Sequence, residues 1–410
     1  MRPPAADAPC GRLAGDRVAG VLRFRGVRYA SAPVGPLRWR PPVPLAPTGG
    51  VRDCRHFVAA PQPRAPGEFG RVFPVRGERD EDCLALNVWT PDLRGRAPVL
   101  VWLHGGGFEA GGGGEPDCDG TALASGGLVV VTVNYRLGAL ALGGLALEDQ
   151  IAALAWVRDN VAALGGDPER VTLAGSSAGA MSIACLLRRP EARGLFRAAI
   201  LQSGAAAGVS PEVGARVAAL VRRELADPAA APVAAVLAAQ ATVTPEARAL
   251  LGDEDGLGMV FQPVVSPAPL AVEVPVIIGT TADEWALFSG LGTGDASEDA
   301  ARTERVFRRP ALDLATALAR AGVPVWLYRF AWRPHPADDT RGLGACHGIE
   351  IPFVFDTFAC ATGRALAPGG ARSATRAAVR SAWGAFVECA DPGPGWPRHD
   401  PDRGTEMVFA

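Results

Sequence analysis

The sequence contains no lysine, so all 41 of its lysine-plus-arginine residues are arginine. This absence excludes a lysine Schiff base, the phosphate-binding lysine of a P-loop and a Ser-x-x-Lys acylation site. Histidine is also scarce, and a proton transfer near neutral pH would fall mainly to this residue type. The candidates for a catalytic base are therefore few: His56, His104, His335, His347 and His399.

An excess of charge of either sign is also missing, since the formal net charge is -2 and the pI is near 6.3. A nucleic-acid partner therefore has no electrostatic support. No apolar run reaches about 18 uninterrupted residues, the length that a membrane-spanning helix needs. Residues 1–7 also lack the apolar core of a secretory signal. We therefore expect no membrane segment. We also expect the protein to be a monomer or a weak homo-oligomer.

The eight cysteines are dispersed along the chain, and no two of them form a Cys-x-x-Cys pair. In a chain of 410 residues, this distribution fits neither a disulfide framework nor a zinc site. We expect reduced, mostly structural thiols in a cytoplasmic protein.

Short β-branched runs alternate with alanine-rich stretches of helical spacing. Strands separated by helices are typical of a largely parallel sheet that is covered on both faces, with its active site at the carboxyl ends of the strands. We predict one domain, 1–410, with a helical insertion at about 205–265 and a shortened one at about 289–322. The predicted strands are 98–103, 128–133, 171–174, 198–202, 274–279 and 325–330, and the clearest helices are 149–164 and 178–187.

The sharpest local motif is Gly175–Gly179, which matches G-x-S-x-G between a predicted strand and a predicted helix. A sharp turn in this position holds a serine in a strained conformation and projects its hydroxyl from the sheet edge. Five residues drawn from common types can also match by chance, but the strand–turn–helix context favours a function. The motif therefore predicts Ser177 as a nucleophile.

A second glycine-rich segment, His104–Gly107, follows the strand predicted at 98–103. Its backbone N–H groups can complete an oxyanion hole together with the N–H of Ala178. The alternatives are a flexible turn or a phosphate cradle, and the cradle is disfavoured because no Gly-Lys-Ser/Thr follows.

A serine nucleophile needs a histidine base and an acid that orients it. Three histidines follow Ser177 in the chain. His335 lies between prolines and His399 lies in a polar, proline-rich segment, so we expect both to face solvent. His347 follows a loop after the strand at 325–330, as expected of a base at the sheet edge. For the acid, Asp283 and Glu284 both follow the strand at 274–279, and the pattern alone leaves the choice open.

From about Gly11 to Pro397 the sequence resembles the type-B carboxylesterase/cholinesterase family of the α/β-hydrolase fold. The resemblance implies a large, mostly parallel, twisted sheet with helices on both faces and, given the short insertions, a reduced helical cap. The segments that carry it are Phe24–Trp39, Glu81–Asn87 (E-D-C-L-x-L-N), Asn134–Gly138, Leu147–Gln150, Trp156–Gly179 and Gly194–Gly204.

The resemblance also implies the site residues and the reaction. Residues 279–284 align with a family segment whose glutamate is the acid, which selects Glu284 over Asp283, and residues 347–355 align with the segment of the base, His347. The implied reaction is the hydrolysis of small or medium uncharged carboxylic esters through an acyl-enzyme, without metal or organic cofactor. The alternatives are another acyl substrate (amide, carbamate, lactone or acyl transfer) and a non-catalytic binding protein. The implied oxyanion donors are Gly106, Gly107 and Ala178, and Ser203 is the implied support of the acid.

The sequence departs from the family pattern in several places. Ser176 replaces the glutamate before the nucleophile, which argues against cationic choline esters, and Trp285 replaces the glycine after the acid, where its bulk is expected to crowd the triad. Cys83 occupies the position of the family's first disulfide cysteine, but its partner position is Ala60. We therefore expect no such bridge, which is consistent with an intracellular member of bacterial type.

Overall fold

The computed structural model describes residues 4–63, 67–206, 208–252, 258–289, 295–339 and 341–410. A ten-stranded sheet forms the centre of the described chain. Its strands are β1 Asp16–Val18, β2 Val21–Arg28, β3 Ala85–Thr90, β4 Ala97–Leu103, β5 Val129–Val133, β6 Gly166–Ser176, β7 Ala198–Gln202, β8 Val276–Thr281, β9 Val325–Phe330 and β10 Met407–Phe409.

The strand order across this sheet is β10-β9-β8-β7-β6-β4-β5-β3-β2-β1. All pairs from β10 to β5 are parallel, while β3 runs antiparallel to both of its neighbours and β1 runs antiparallel to β2. All six predicted strands are present. The largest difference in their ends is at β6, which begins at Gly166 because this residue pairs with Ala97 before an irregularity in the register.

Helices cover both faces of the sheet. The described helices are α1 Gly67–Val72, α2 Thr121–Ser125, α3 Leu145–Asn160, α4 Ala178–Leu186, α5 Pro211–Arg223, α6 Val233–Leu251, α7 Ala296–Thr303, α8 Arg309–Arg320, α9 Ile351–Phe355, α10 Ala361–Leu366 and α11 Ala374–Cys389. Smaller strands, Ala5–Ala8, Gly11–Ala14 and Val51–Asp53, form a second sheet, and Val58–Ala59 pairs with Glu78–Arg79.

The alternation of side chains along β4 shows how the two layers form. Successive residues of a strand point to opposite faces. Val99 and Val101 pack into the hydrophobic core that includes residues of α3, α4 and α8, whereas Leu100 and Trp102 pack into the core that includes α2, α9 and α11. Both faces are buried, which explains why the strand is a continuous apolar run.

The long apolar segment Gly138–Leu164 would be able to cross a membrane by length and composition alone. In the fold it consists of α3 and the short turns on either side of it, and 72% of its most apolar window is buried inside the protein. It is therefore accounted for as a core helix that packs on the sheet.

Two segments interrupt the alternation of strands and helices. In the region predicted as a helical insertion, 205–265, α5 and α6 pack on the turn Gly138–Gly144. In the region predicted as a shortened insertion, 289–322, α7 and α8 are joined by a π-helical turn, Glu304–Arg308. Parts of both predictions (207, 253–257 and 290–294) lie outside the described residues.

The C-terminal region departs from the sequence expectation. Residues 374–410 form α11 and the edge strand β10, neither of which the patterns predict. His399 is only 6% exposed, its backbone N–H donates to the Val325 carbonyl (2.7 Å), and its Nδ1 donates to the Thr405 carbonyl (2.9 Å). The expectation that His399 faces solvent is therefore wrong, because this segment folds back onto the edge of the sheet.

A buried ion pair joins the end of β5 to α3. The guanidinium of Arg136 donates to both carboxylate oxygens of Asp149 (2.8 and 2.6 Å) and to the Arg40 carbonyl (2.8 Å). Both side chains are almost fully buried. Removing one partner of such a pair leaves an uncompensated charge in the interior.

We expect Asp149→Asn to lower the free energy of unfolding by about 3–5 kcal/mol, because Arg136 would stay buried without its counter-charge. The matched control is Asp159→Asn on the same helix, whose partner Arg158 is half exposed. That control should cost about 1 kcal/mol or less. Urea unfolding followed by tryptophan fluorescence measures both, and equal losses would contradict the assignment.

Candidate active site

Ser177 lies in a tight turn between the end of β6 and the start of α4 and has a strained backbone. It has φ +54 and ψ -124, a region that residues with a Cβ atom rarely occupy. Its backbone N–H donates to the Gln202 carbonyl at the end of β7 (2.8 Å). Such strain persists only where the surrounding structure holds it.

The glycines around Ser177 are required by close backbone packing. A Cβ atom on Gly179 would lie 2.0 Å from the Leu103 carbonyl oxygen, and one on Gly175 would lie 2.7 Å from the carbonyl carbon of Gly179. A Cβ atom on Gly204 would lie 2.4 Å from the Ser177 carbonyl oxygen. The G-x-S-x-G match therefore reflects a structural requirement, and the chance reading is disfavoured.

The loop Gly105–Gly107 faces this turn from the end of β4. Gly106 and Gly107 have φ +109 and +62, and a Cβ atom on Gly106 would lie 2.1 Å from the Ala110 carbonyl oxygen. A Cβ atom on Gly105 would lie 3.1 Å from Ser177 Cβ. The backbone of the loop therefore lies directly beside the serine.

His104 supports this loop from behind. Its ring stacks on Tyr135 with centroids 4.4 Å apart, and its Nδ1 donates to the Gly105 carbonyl (2.7 Å). Burial lowers the pKa of His104 to about 4, so the ring is neutral at physiological pH. His104 therefore packs between Tyr135 and the glycine loop and holds the Gly105 carbonyl.

Glu284 and His347 come together at the ends of neighbouring strands. Glu284 lies in the turn that follows β8, and its Oε1 accepts a bond from the Thr281 N–H (2.8 Å). Its Oε2 accepts a bond from His347 Nδ1 at 2.6 Å, and both side chains are buried. Because Nδ1 carries the proton of this bond, a neutral ring has Nε2 free as the acceptor.

Asp283, the other acid that the sequence left open, has different partners. Its carboxylate accepts bonds from the guanidinium of Arg333 (2.8 Å to each oxygen) and from the Ala345 N–H (2.7 Å). The structure thus places Glu284, and not Asp283, against the imidazole of His347.

Ser203, the implied support of the acid, bonds to Glu350 and not to Glu284, and the sequence analysis did not identify Glu350. Its hydroxyl donates to Glu350 Oε1 (3.4 Å), as does the side-chain amide of Gln202 (3.3 Å). Burial, followed by the nearby charge of Glu284, raises the pKa of Glu350 to about 7. The available signal was the position of Glu350 itself, a glutamate three residues after the base in a segment that is otherwise apolar.

A cavity of about 750 Å³ opens above these residues, and Ser177, His347 and the glycine loop share its wall. Glu115 and Asp117 also line the cavity, and burial raises the pKa of both carboxyls, to about 6 for Asp117. These two residues and Cys118 have possible metal-ligating atoms within 4.8 Å of one another, and burial raises the pKa of the Cys118 thiol as well. The apolar lining residues are Phe73, Val75, Met259, Leu287, Phe288 and Ile351.

Aromatic side chains surround the imidazole of His347. The rings of Phe288 and Phe307 lie 5.1 and 5.0 Å from it, and Phe307 comes from the π-helical turn between α7 and α8. The ring of Trp285 packs on Phe288 (5.2 Å between centroids), and the backbone N–H of Trp285 donates to the Thr303 hydroxyl (3.0 Å). Among the described residues, Leu287 and Phe288 line the cavity and Trp285 does not, so its bulk fills the aromatic cluster beside the site.

We expect Glu350→Gln to stabilise the protein more at pH 8 than at pH 5. The folded pKa of Glu350 is raised above its unfolded value, so ionisation costs stability as the pH rises towards 7, and the full cost is present above pH 7. The relative gain should be roughly 1 kcal/mol or more, since one pKa unit corresponds to about 1.4 kcal/mol. Thermal unfolding at both pH values measures it, with the exposed Glu388→Gln as control. Equal gains at pH 5 and pH 8 would contradict this assignment.

Residues 2–225 match the family model described as "Carboxylesterase family". The chain is 34% identical over 403 residues to para-nitrobenzyl esterase of Bacillus subtilis (strain 168), covering 84% of this chain and 81% of that protein. It is 35% identical over 475 residues to phenmedipham hydrolase of Pseudarthrobacter oxydans, covering 99% and 94%.

The fold agrees with these sequence matches. It superposes on a solved structure of a PNB esterase with a TM-score of 0.85 and 30% identity, covering 100% of this chain and 96% of that one. The prediction of an α/β-hydrolase fold with a mostly parallel sheet is confirmed by this likeness. The protein therefore belongs to the carboxylesterase family and is a hydrolase of the α/β-hydrolase fold.

Proposed function

We propose that the protein is a serine carboxylic-ester hydrolase in which Ser177, His347 and Glu284 form the catalytic triad. One observation carries the proposal. The 2.6 Å bond between His347 and Glu284 lies at the wall of the cavity that also contains the strained Ser177. A nucleophile on a strained turn, a base and a buried orienting acid are the parts of a serine esterase.

In the first half-reaction, Ser177 Oγ attacks the ester carbonyl carbon while His347 Nε2 takes the hydroxyl proton. Glu284 holds the imidazole in the tautomer with hydrogen on Nδ1 and stabilises the imidazolium that forms. The carbonyl oxygen becomes an oxyanion, which the backbone N–H groups of Gly106, Gly107 and Ala178 bind. Loss of one such donor typically costs on the order of 100-fold or more in kcat.

Collapse of this intermediate breaks the bond to the alcohol, which leaves with the proton from His347. A water molecule then attacks the acyl carbon as His347 takes a proton from the water. The carboxylic acid product leaves as Ser177 Oγ recovers a proton from the imidazolium. Each step moves one proton between the base and an oxygen, so the imidazole returns to its starting state.

The cavity favours a small or medium uncharged ester. Its volume of about 750 Å³ and the apolar part of its wall suit a compact substrate. Ser176, which lines the cavity beside the nucleophile, carries no charge that would attract a cationic alcohol.

A second function uses the same residues on another acyl bond. Amides and lactones form an acyl-enzyme, and carbamates form a carbamoyl-enzyme, by the same attack of the serine on the carbonyl carbon. One relative of this chain is a phenmedipham hydrolase, whereas another is a para-nitrobenzyl esterase. A non-catalytic role is disfavoured because the serine, the acid and the base are all present, with the base bonded to the acid and lining the same cavity as the serine.

We expect the protein to hydrolyse p-nitrophenyl acetate and butyrate, and Ser177→Ala to lower kcat by on the order of 10⁴-fold or more because the nucleophile is lost. An organophosphate should label the wild type once per chain and leave Ser177→Ala unlabelled, as intact-mass spectrometry measures. His347→Gln should lower kcat comparably without changing the circular dichroism spectrum. The control is His335→Gln, since His335 is exposed. Full activity in Ser177→Ala would refute the triad.

The side chain of Met259 is expected to limit the acyl chain. It packs with Ala178 in one apolar cluster, and its Cγ would lie 3.9 Å from a Cβ atom on Gly107. Met259→Ala should raise kcat/KM for p-nitrophenyl octanoate relative to acetate by about tenfold, since space for added methylenes is worth about 1–3 kcal/mol. Met407→Ala on β10 is the matched control. An unchanged chain-length profile would place the acyl chain elsewhere in the cavity.

A further inference from the structure

The acid and the base of the proposed triad reach the site by very different paths. Glu284 stands three residues beyond the end of β8, in a short turn. His347 follows β9 only after the 16-residue segment 331–346, whose described residues contain no helix or named strand. A loop of this length does not by itself hold an imidazole to within a fraction of an ångström.

Asp283 joins the turn of the acid to the loop of the base. Its backbone N–H donates to the Ala345 carbonyl (2.9 Å), and its carboxylate accepts the Ala345 N–H in return (2.7 Å). Asp283 also pairs with Cys346 in a parallel bridge, directly before His347. The contact therefore lies one residue from the acid and one to two residues from the base.

Arg333 fixes the carboxylate of Asp283 in this position. Its Nε and Nη2 donate to the two carboxylate oxygens, each at 2.8 Å, in the bidentate geometry that defines orientation as well as distance. Burial acts to raise the pKa of Asp283, but the bonds from Arg333 and the Ala345 N–H together hold this pKa below its ordinary value. The acceptor for the Ala345 N–H therefore stays charged.

The loop itself is shaped to approach this carboxylate. Asp339 accepts bonds from the N–H groups of Leu343 and Gly344, both at 2.9 Å. Gly344 has φ +56, and a Cβ atom at this position would lie 2.5 Å from Asp283 Oδ2. The loop therefore makes room for Asp283 where any other residue would displace it.

We propose that Asp283 and Arg333 form a clamp that positions the imidazole of His347 relative to Glu284, and that Asp283 is a positioning residue of the reaction. The inference rests on the proposed function. Among the described residues that line the active-site cavity, neither Asp283 nor Arg333 is present, so the clamp acts through the two loops and not on the substrate. Because a misplacement of about 1 Å can cost 100-fold in rate, a distant contact of this kind affects catalysis.

A purely structural role makes a different prediction. The Arg333 side chain is 58% exposed and that of Asp283 is 29% exposed. An ion pair this open to solvent contributes little to the free energy of unfolding. If the clamp positions His347, its loss lowers kcat far more than this small loss of stability would suggest.

The test uses Asp283→Asn, Arg333→Gln and Arg333→Lys in the full chain, with kcat and KM for p-nitrophenyl acetate measured at a temperature where each variant is folded. We expect kcat to fall by about tenfold or more in Asp283→Asn and Arg333→Gln, with KM within about twofold. Arg333→Lys, which keeps the charge but not the fork, should lie between wild type and Arg333→Gln. The double variant Asp283→Asn/Arg333→Gln should be no slower than the worse single variant.

The matched control is Asp53→Asn, which breaks the bidentate pair of Asp53 with Arg55, also half exposed and on the small sheet. Its kcat should equal that of the wild type. A wild-type kcat in Asp283→Asn or Arg333→Gln would overturn the clamp, and so would a rise in KM at constant kcat. If Asp283→Asn does not fold, the graded series at the exposed Arg333 still decides. A wild type inactive on every ester would refute the proposed function, whereas an active wild type with inactive Ser177→Ala and unaffected clamp variants would refute only the clamp.

Discussion

The backbone of α4 lies against the end of β4 so closely that no side chain fits between them, and the arrangement of the site depends on this contact. It requires glycine at 175 and 179, and it forces Ser177 into a conformation that its neighbours must hold. The same contact brings the start of α4, with its free N–H groups, next to the glycine loop that follows β4. The serine, the Ala178 N–H and the loop are therefore placed together by one packing constraint.

The acid and the base depend on a second property of the sheet. Because β8 and β9 are parallel neighbours, the segments that follow them begin at the same edge, beside Ser177. The carboxylate of Glu284 is buried and accepts a hydrogen bond from the Thr281 N–H. The base lies at the end of a long loop that bonds to Asp283, and burial and the charge of Glu284 raise the pKa of the nearby carboxyl of Glu350 to about 7. The carboxyl groups of Glu284, Asp283 and Glu350 therefore have three different environments.

Much of the central fold was predictable because its signals are local. The six strands predicted from short β-branched runs are present, and α4 begins one residue after Ser177, as the motif requires. The segment 374–410 was missed, since the three-residue edge strand β10 depends on its pairing with β9, and α11 packs against α9, β4 and β6. His399 is buried for the same reason, although its sequence surroundings are polar and rich in proline.

By itself, the sequence determined the motifs that need particular residue types: the glycines of the tight turn, the serine between them and the short set of histidines. Its local pattern left Asp283 and Glu284 equivalent, because both follow the same strand and both are carboxylates, and only the resemblance to the family favoured Glu284. The tertiary structure supplies the physical difference between them, since one side chain turns to His347 and the other to Arg333 and Ala345. The partners of a side chain lie 50 to 63 residues away in the chain, and no local pattern records which of them the fold brings within reach.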